Sequence, residues 1–337
     1  MKVATFPLVE TETTSCVICL AHSSRKLGEI RLGEQLLGRV VRCDECDLRF
    51  MSPRPTQRQR DWLYEREYES ELPGQHGETR FESVHNDQDQ GRVRFARYLD
   101  LLEAGPQTQT QRGRRRLLDI GAGTGQLLKL ARDRGWDVYA IEQSEEARRH
   151  LNGLLGADSV VGRDLATCHD SVGSFDAVVM AHVIEHLPDP LASLRHVKRL
   201  LTPLGQLLIA TPNEVSLYER LWLARQRWRR EGAANPYVAF AWHGSTWQRA
   251  PSQDDQQGFI EFQILTTEHL YFFTQATLRR LLVRAGFGDL CWSAGSVAPA
   301  NSGLGRLLRN DIVNRAAALL SLQSELVVVA DRGAVRA

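Results

Sequence analysis

From Leu117 to the last residues the chain alternates two hydrophobic rhythms. Short continuous apolar runs stand at Leu117–Ile120, Val138–Ile141, Val160–Val161, Phe175–Met180, Leu207–Ala210 and Glu325–Ala330. Each is bounded by polar or turn residues, which predicts buried strands. Between them apolar residues recur at helical spacing. One helix follows the glycines after Ile120 and runs to about Arg134, and a second starts after Ser144, a ready N-cap. A third covers Leu191 to Leu201, stopped by Pro203 and Gly205, and a fourth runs from Thr274 to Ala285 with Gly286 at its end. Strands alternating with helices predict a doubly wound, mostly parallel sheet. The first 116 residues lack this rhythm. Residues 1–55 carry paired cysteines and end in a proline-rich run, and residues 56–113 are polar with scattered aromatics. The expected organisation is a zinc-ribbon-like domain over 1–55, a helical linker or lid over 56–113 and an α/β domain over 114–337.

Composition narrows the class. With 337 residues the chain exceeds one domain of ordinary size. Hydrophobic residues make up 42% and charged residues 25%, as in globular proteins. A formal charge of +1 gives no field that would gather nucleic acid, so none is expected as a partner. No apolar leader or membrane-length apolar stretch is present, and a cytoplasmic location is expected.

Four of the six cysteines fall in two pairs, Cys16-Val17-Ile18-Cys19 and Cys43-Asp44-Glu45-Cys46. Without a secretion signal, doubled CxxC pairs point to metal rather than disulfides. Four thiolates suit tetrahedral Zn2+, and a site so filled has no open position for chemistry. Cys168 and Cys291 are expected to pack as small apolar groups.

The densest motif is Leu117-Leu118-Asp119-Ile120-Gly121-Ala122-Gly123-Thr124-Gly125. Its glycines fall as GxGxG with an acid before them, unlike the GxGxxG of dinucleotide sites. Glycines let the backbone approach a ligand, and the helix N-terminus beyond them favours a carboxylate. Glu142 ends the second strand, where an acid receives ribose hydroxyls in Rossmann-type sites. The glycine stretch resembles the first motif of class I S-adenosylmethionine-dependent methyltransferases. The resemblance extends through Phe175–Pro190, Thr211-Pro212-Asn213 and Glu268–Phe287. It implies a Rossmann-like, mostly parallel seven-stranded sheet and S-adenosylmethionine as cofactor. Asp119 would face the cofactor's ammonium group, Gly121, Gly123 and Gly125 would form the cradle, and Asp164 would contact adenine.

The acceptor side is read from two branches of the family. Glu268-His269 resembles the dipeptide that sugar C-methyltransferases place at the acceptor, which makes His269 the first candidate base and Glu268 its orienting partner. Those enzymes carry a further C-terminal domain, whereas this chain stops soon after Ala330, a departure that limits how far their C-methylation mechanism is expected to carry over. His182-Val183-Ile184-Glu185-His186 resembles the quinone O-methyltransferase branch, where an acid-x-x-Glu-His array is associated with a divalent cation. Here a histidine replaces the acid, so His182 is assigned to the cofactor pocket and His186 to the catalytic side. Tyr64 and Tyr68 fall where relatives place a lid. Residues 213–270 read as an insertion over the acceptor site, with contact to a membrane surface as the alternative. Arg112 and Arg114–Arg116 read as a solvated loop. The expected activity is methyl transfer to a small-molecule acceptor, a sugar nucleotide or specialised metabolite, on carbon or oxygen. The alternatives are a quinone or phenol O-methyltransferase at a membrane surface and a zinc-containing RNA-modifying protein.

Overall fold

The computed structural model describes residues 10–32, 35–61, 88–105, 114–168, 173–213, 240–243, 246–249, 269–293 and 324–333. The chain divides into two compact units: residues 1–77, 212–278 and 294–326 in one, and 78–211, 279–293 and 327–337 in the other.

The first unit is built on β1 (Thr11–Glu12), β2 (Ser24–Leu32), β3 (Gln35–Cys43), β4 (Arg49–Met51) and β5 (Arg54–Pro55). Strands β2 and β3 form an antiparallel hairpin running from Ser24↔Cys43 to Leu32↔Gln35. Strand β4 pairs with β3, and β1 pairs with β5. Leu37, Val40, Val41, Leu48, Phe50 and Met51 are buried.

The second unit holds β6 (Arg116–Ile120), β7 (Asp137–Ile141), β8 (Val160–Gly162), β9 (Phe175–Ala181) and β10 (Leu201–Pro212). Further along the chain come β11 (Phe240–His243), β12 (Thr246–Arg249) and β13 (Tyr271–Phe272), then β14 (Gly288–Ser293) and β15 (Glu325–Asp331). Strands β11–β13 complete a six-stranded sheet ordered β12-β11-β2-β3-β4-β13. The second sheet has seven strands ordered β14-β15-β10-β9-β6-β7-β8. Strands β6 to β10 pair in parallel, and β14 runs antiparallel to β15. This is the Rossmann-like arrangement expected from the alternating pattern. Strand order reverses between β6 and β9, and open α/β sheets bind ligands at the carboxyl ends of strands beside such a reversal.

The helices are α1 (Gln88–Glu103), α2 (Gln126–Asp133), α3 (Glu145–Leu155), α4 (Pro190–Leu200) and α5 (Gln275–Ala285). Ser144 caps α3 by accepting from the N–H of Ala147. Asp189 does the same for α4 from Ala192, with Pro190 opening the helix. The Thr274 hydroxyl accepts from Thr277 N–H at the start of α5. Leu127, Leu128 and Ala131 of α2 pack with Leu117, Val179, Leu208 and Val327 of the sheet and with Tyr98 and Leu99 of α1. Each such buried leucine contributes about 1.5–3 kcal/mol.

Three expectations change. Strand β10 starts at Leu201 and takes in Pro203 and Gly205, read in sequence as a helix stop. A register shift between Leu201 and Gln206 absorbs the extra residues. Arg115 and Arg116 are not a solvated loop. Arg115 lies 4.1 Å over the Trp136 ring, and Arg116 lies 4.5 Å over Tyr139 and 4.9 Å over Phe175. Arginine stems cover aromatic surface while the guanidinium faces the ring. Cys168 is buried as expected, but Cys291, on β14, is exposed.

Candidate active site

The glycine turn joins β6 to α2 at the carboxyl edge of the seven-stranded sheet. Gly121 and Ala122 donate to the carbonyl of Ile141, tying the turn to the end of β7. Gly123 has φ +53°, and a Cβ built there meets no atom of the described residues within 4 Å. Its neighbours differ: a Cβ on Gly121 would stand 2.6 Å from Val183 Cγ2, and one on Gly125 2.6 Å from Leu151 Cδ2. The open face of the turn therefore lies over Gly123. Gly125 is the N-cap of α2 and supplies no side-chain cap, which leaves the N-terminal N–H groups of α2 to a ligand or solvent.

Two buried carboxylates flank this face. Asp119 is 4% exposed and Glu142 3%. Glu142 accepts from Gly123 N–H at 2.8 Å through Oε2 and from Ser144 N–H at 2.8 Å through Oε1. Burial, and then the nearby Glu142 charge, hold Asp119 well above the ordinary carboxylate range. Burial also raises Glu142, opposed by the backbone donors of Ser144 and Gly123. Two buried acids with raised affinity for protons mark this turn as a candidate site, with oxygens able to accept from a cation or from hydroxyl donors. Asp164 is exposed and accepts from Thr167 N–H at 2.8 Å, closing the turn after β8.

Beyond β9, His182 adopts φ +57°, a left-handed conformation unusual for a non-glycine residue. Its N–H donates to Ala210 O at 2.8 Å. Glu185 is 1% exposed and accepts from Thr211 Oγ1 at 2.9 Å. Its Oε1 lies 3.6 Å from His182 Nδ1 and 3.9 Å from His186 Nε2. The sequence set Thr211 and Glu185 in two separate motifs and gave no sign of the bond between them. A polar residue ending one strand and a buried acid beyond its neighbour give no shared local pattern.

In the other unit, His269 is half-buried with its ring 6.5 Å edge-on to Phe272. Glu268, Tyr64, Tyr68 and most of the 213–270 segment lie outside the described residues.

The four N-terminal cysteines converge. Cys16 and Cys46 Sγ are 3.4 Å apart, as are Cys19 and Cys43 Sγ. All four sulfurs lie within 4.8 Å of one another. Zinc–sulfur bonds of about 2.3 Å in a tetrahedron separate the sulfurs by roughly 3.8 Å, so the set fits zinc. The two loops repeat one geometry. Leu20 N–H donates to Cys16 O and Asp47 N–H to Cys43 O, while Cys16 N–H donates to Ala21 O and Cys43 N–H to Leu48 O. Leu20 and Asp47 occupy equivalent left-handed positions, φ +63° and +65°. Backbone N–H groups of Ile18 and Cys19 face the Cys16 sulfur, and that of Leu48 faces the Cys46 sulfur. Burial nevertheless pushes the Cys16 thiol up to about 11. Such donors stabilise a thiolate that a metal ion completes.

Comparison with known proteins identifies the family. The family described as "Methyltransferase domain" matches residues 90–291, more than half of the chain. The chain belongs to this methyltransferase-domain family. Among curated relatives, the ubiquinone biosynthesis O-methyltransferase of Xanthomonas oryzae pv. oryzae (strain PXO99A) is 39% identical over 105 residues, 29% of this chain and 43% of the relative. The enzyme of that name from Pseudomonas aeruginosa (strain UCBPP-PA14) is 33% identical over 104 residues, 29% of this chain and 45% of the relative. The chain thus spans less than half the length of these relatives. A SAM-dependent methyltransferase from Archaeoglobus fulgidus aligns over 73% of this chain and 94% of its own, at 19% identity and TM-score 0.44. Among the described residues no helix is long and apolar enough to cross a membrane.

Proposed function

We propose that this methyltransferase-domain protein transfers a methyl group from S-adenosylmethionine to a hydroxyl of a small-molecule acceptor. The observation that carries the reading is the pair of buried carboxylates, Asp119 and Glu142, flanking the open face of Gly123. The names of the curated relatives favour oxygen over carbon as the methylated atom. Bound cofactor supplies a methyl group on a sulfonium centre, a leaving group that needs no acid. Asp119 accepts from the ammonium group, Glu142 from the ribose hydroxyls, and Asp164 and His182 border the same pocket. Gly121, Gly123 and Gly125 shape the cradle. His269, Glu268 and His186 are assigned to the acceptor side, where the enzyme's task is alignment. Cys16, Cys19, Cys43 and Cys46 hold a structural Zn2+ whose four protein ligands exclude it from the reaction.

Calorimetric titration with S-adenosylmethionine and S-adenosylhomocysteine, with NAD as control, tests the proposal. Saturable binding of the first two alone is the expected result. Binding of NAD alone would overturn the cofactor assignment. The relatives' names, which give ubiquinone biosynthesis, support a quinone or phenol acceptor as a second reading, and an acceptor so apolar would be met at a membrane surface. Flotation with anionic vesicles tests that second reading, and protein left wholly in the unbound fraction argues against it.

A further inference from the structure

A groove outside the cradle lies between α3 and β8. Strand β8 ends the seven-stranded sheet, and among the described residues no strand pairs with its outer edge. Ala147 and Leu151 bury one face of α3. On another face Glu145, Arg148, Arg149 and Asn152 follow at spacings of three and four, which sets them side by side. With Val160 and Val161 of the strand and Arg163 beyond it, they line a space of about 350 Å³. A volume of this size admits a small organic molecule. None of the lining residues belongs to the cradle assigned to the cofactor.

The two sides of the groove differ in character. Val160 and Val161 are half-buried and supply an apolar side at the sheet edge. The rest is cationic. Three arginines stand against one carboxylate, Glu145, which leaves an excess of two positive charges. Arg148 is held by its own neighbourhood: it donates to Glu142 O at 3.0 Å, to Gln143 O at 2.6 Å and to the Glu145 carboxylate. Arg149 Nε lies 3.3 Å from the same carboxylate, and its side chain is 74% exposed. Glu145 is thus shared by two arginines and neutralises only one of them. A guanidinium fixed before a ligand arrives loses little freedom when it binds.

We infer that this groove binds a small organic phosphate, with the phosphate on Arg149 and Arg163 and the apolar body along Val160 and Val161. Charge decides between anions. A phosphate monoester carries about −1.5 to −2 near neutral pH and matches the excess, whereas a carboxylate leaves one positive charge unmatched. Guanidinium donors take phosphate oxygens in pairs. The Asn152 amide on the same wall offers a further donor. The site goes beyond the methyl-transfer reading and does not depend on it.

Phenyl phosphate, a soluble probe with one phosphate and one apolar ring, tests this on the full-length, cofactor-free protein. Methyl NMR of valine-labelled protein is followed through a titration at low salt. Saturable shifts of the Val160 and Val161 signals, assigned by Val160→Ile and Val161→Ile, are expected in the millimolar range or below. Arg149→Gln and Arg163→Gln should each weaken binding by up to about fivefold, the range of an exposed charge pair. Asn152→Glu sits at an exposed helix position that accepts glutamate, and it should abolish binding by repelling the anion. If an arginine variant does not fold, Asn152→Glu still decides. Arg92→Gln, on the exposed face of α1, should change nothing. Shifts that never saturate, or equal weakening by Arg92→Gln, would reduce the effect to surface charge and overturn the inference. Wild-type affinity in Asn152→Glu would overturn it as well.

Phosphatidylcholine vesicles containing phosphatidate tell the sources of such a phosphate apart. Displacement of phenyl phosphate by the vesicles assigns the ligand to a lipid headgroup, and no displacement assigns it to a soluble ester. Repeating the titration with saturating S-adenosylhomocysteine locates the site. The valine shifts should persist; their loss would put the phosphate in the cradle and refute the groove. If S-adenosylhomocysteine itself does not bind, the cofactor reading falls and the groove stands.

Discussion

Replacing Asp119 by asparagine keeps the shape of the site and removes one buried charge. In the cofactor-free protein burial and the Glu142 charge raise the pKa of Asp119. The folded state therefore holds a proton that the unfolded chain has released, in a window that opens near the unperturbed value of 3.8. By linkage, stability is greatest below that value and falls as pH rises through the folded pKa. Asp119→Asn should flatten this decline. Cofactor binding should change in the opposite sense. An ammonium group at Asp119 restores the carboxylate, so binding should release up to one proton. Loss of a charge-assisted hydrogen bond costs about 1.5–3 kcal/mol, or roughly 10- to 150-fold in Kd. The assay is calorimetry over a series of pH values rising from 3.8, in buffers of different ionisation enthalpy. Wild-type protein should show buffer-dependent heats within that range, and Asp119→Asn should bind weakly without them. Cofactor affinity within twofold of wild type in the variant would refute the assignment of Asp119. Buffer-independent heats at every pH would refute the proton linkage.

Other substitutions separate packing from binding. Gly123→Ala should cost about 1–2 kcal/mol of backbone strain and weaken cofactor binding at least tenfold, because its Cβ enters the open face of the turn. Gly125→Ala should lose more stability, since its Cβ meets Leu151 and Leu154; thermal melts that rank the two variants the other way would contradict the packing. Leu20→Gly should raise stability by about 0.5–1 kcal/mol, because Leu20 is exposed and left-handed. A lower melting temperature would mean that the knuckle geometry is misread. Purified protein should contain one zinc per chain, and Cys16→Ser or a chelator should remove it and lower the melting temperature; metal-free wild-type protein with an unchanged melt would dismiss the zinc.

The glycine turn, the Ser144 cap and the cysteine pairs were legible because each is a local pattern with one physical use. Their partners were not. The spacing of Glu142 from the turn suggested a ribose ligand, but its bond to Gly123 N–H depends on β6 and β7 lying side by side in register. The left-handed positions after each cysteine pair are filled by Leu20 and Asp47, where glycine would have announced them. Arg115 and Arg116 looked like a surface run because the aromatic rings beneath them come from β7, β9 and Trp136. Pro203 and Gly205 stopped the predicted helix correctly but sit within β10, since a register shift admits them to a strand. Apart from Leu20 and Asp47, whose turns are local, the missing information is a pairing between segments distant in sequence.

The three glycines of the turn answer to three different neighbours. Gly125 is small because Leu151 and Leu154 of α3 press against it, and this concerns packing alone. Gly121 is small because Val183 presses against it, which brings the end of β9 against the turn. A Cβ on Gly123 would meet no atom of the described residues within 4 Å, while its N–H donates to Glu142. A motif read as a single cofactor signature thus divides its work. One glycine leaves its face open, one fixes the helix behind it, and one fixes the strand end that bears His182. This explains why so short a segment foretells so much of the site. At this edge of the sheet a side chain at Gly121 would have to displace Val183, and one at Gly125 would have to displace Leu151 or Leu154.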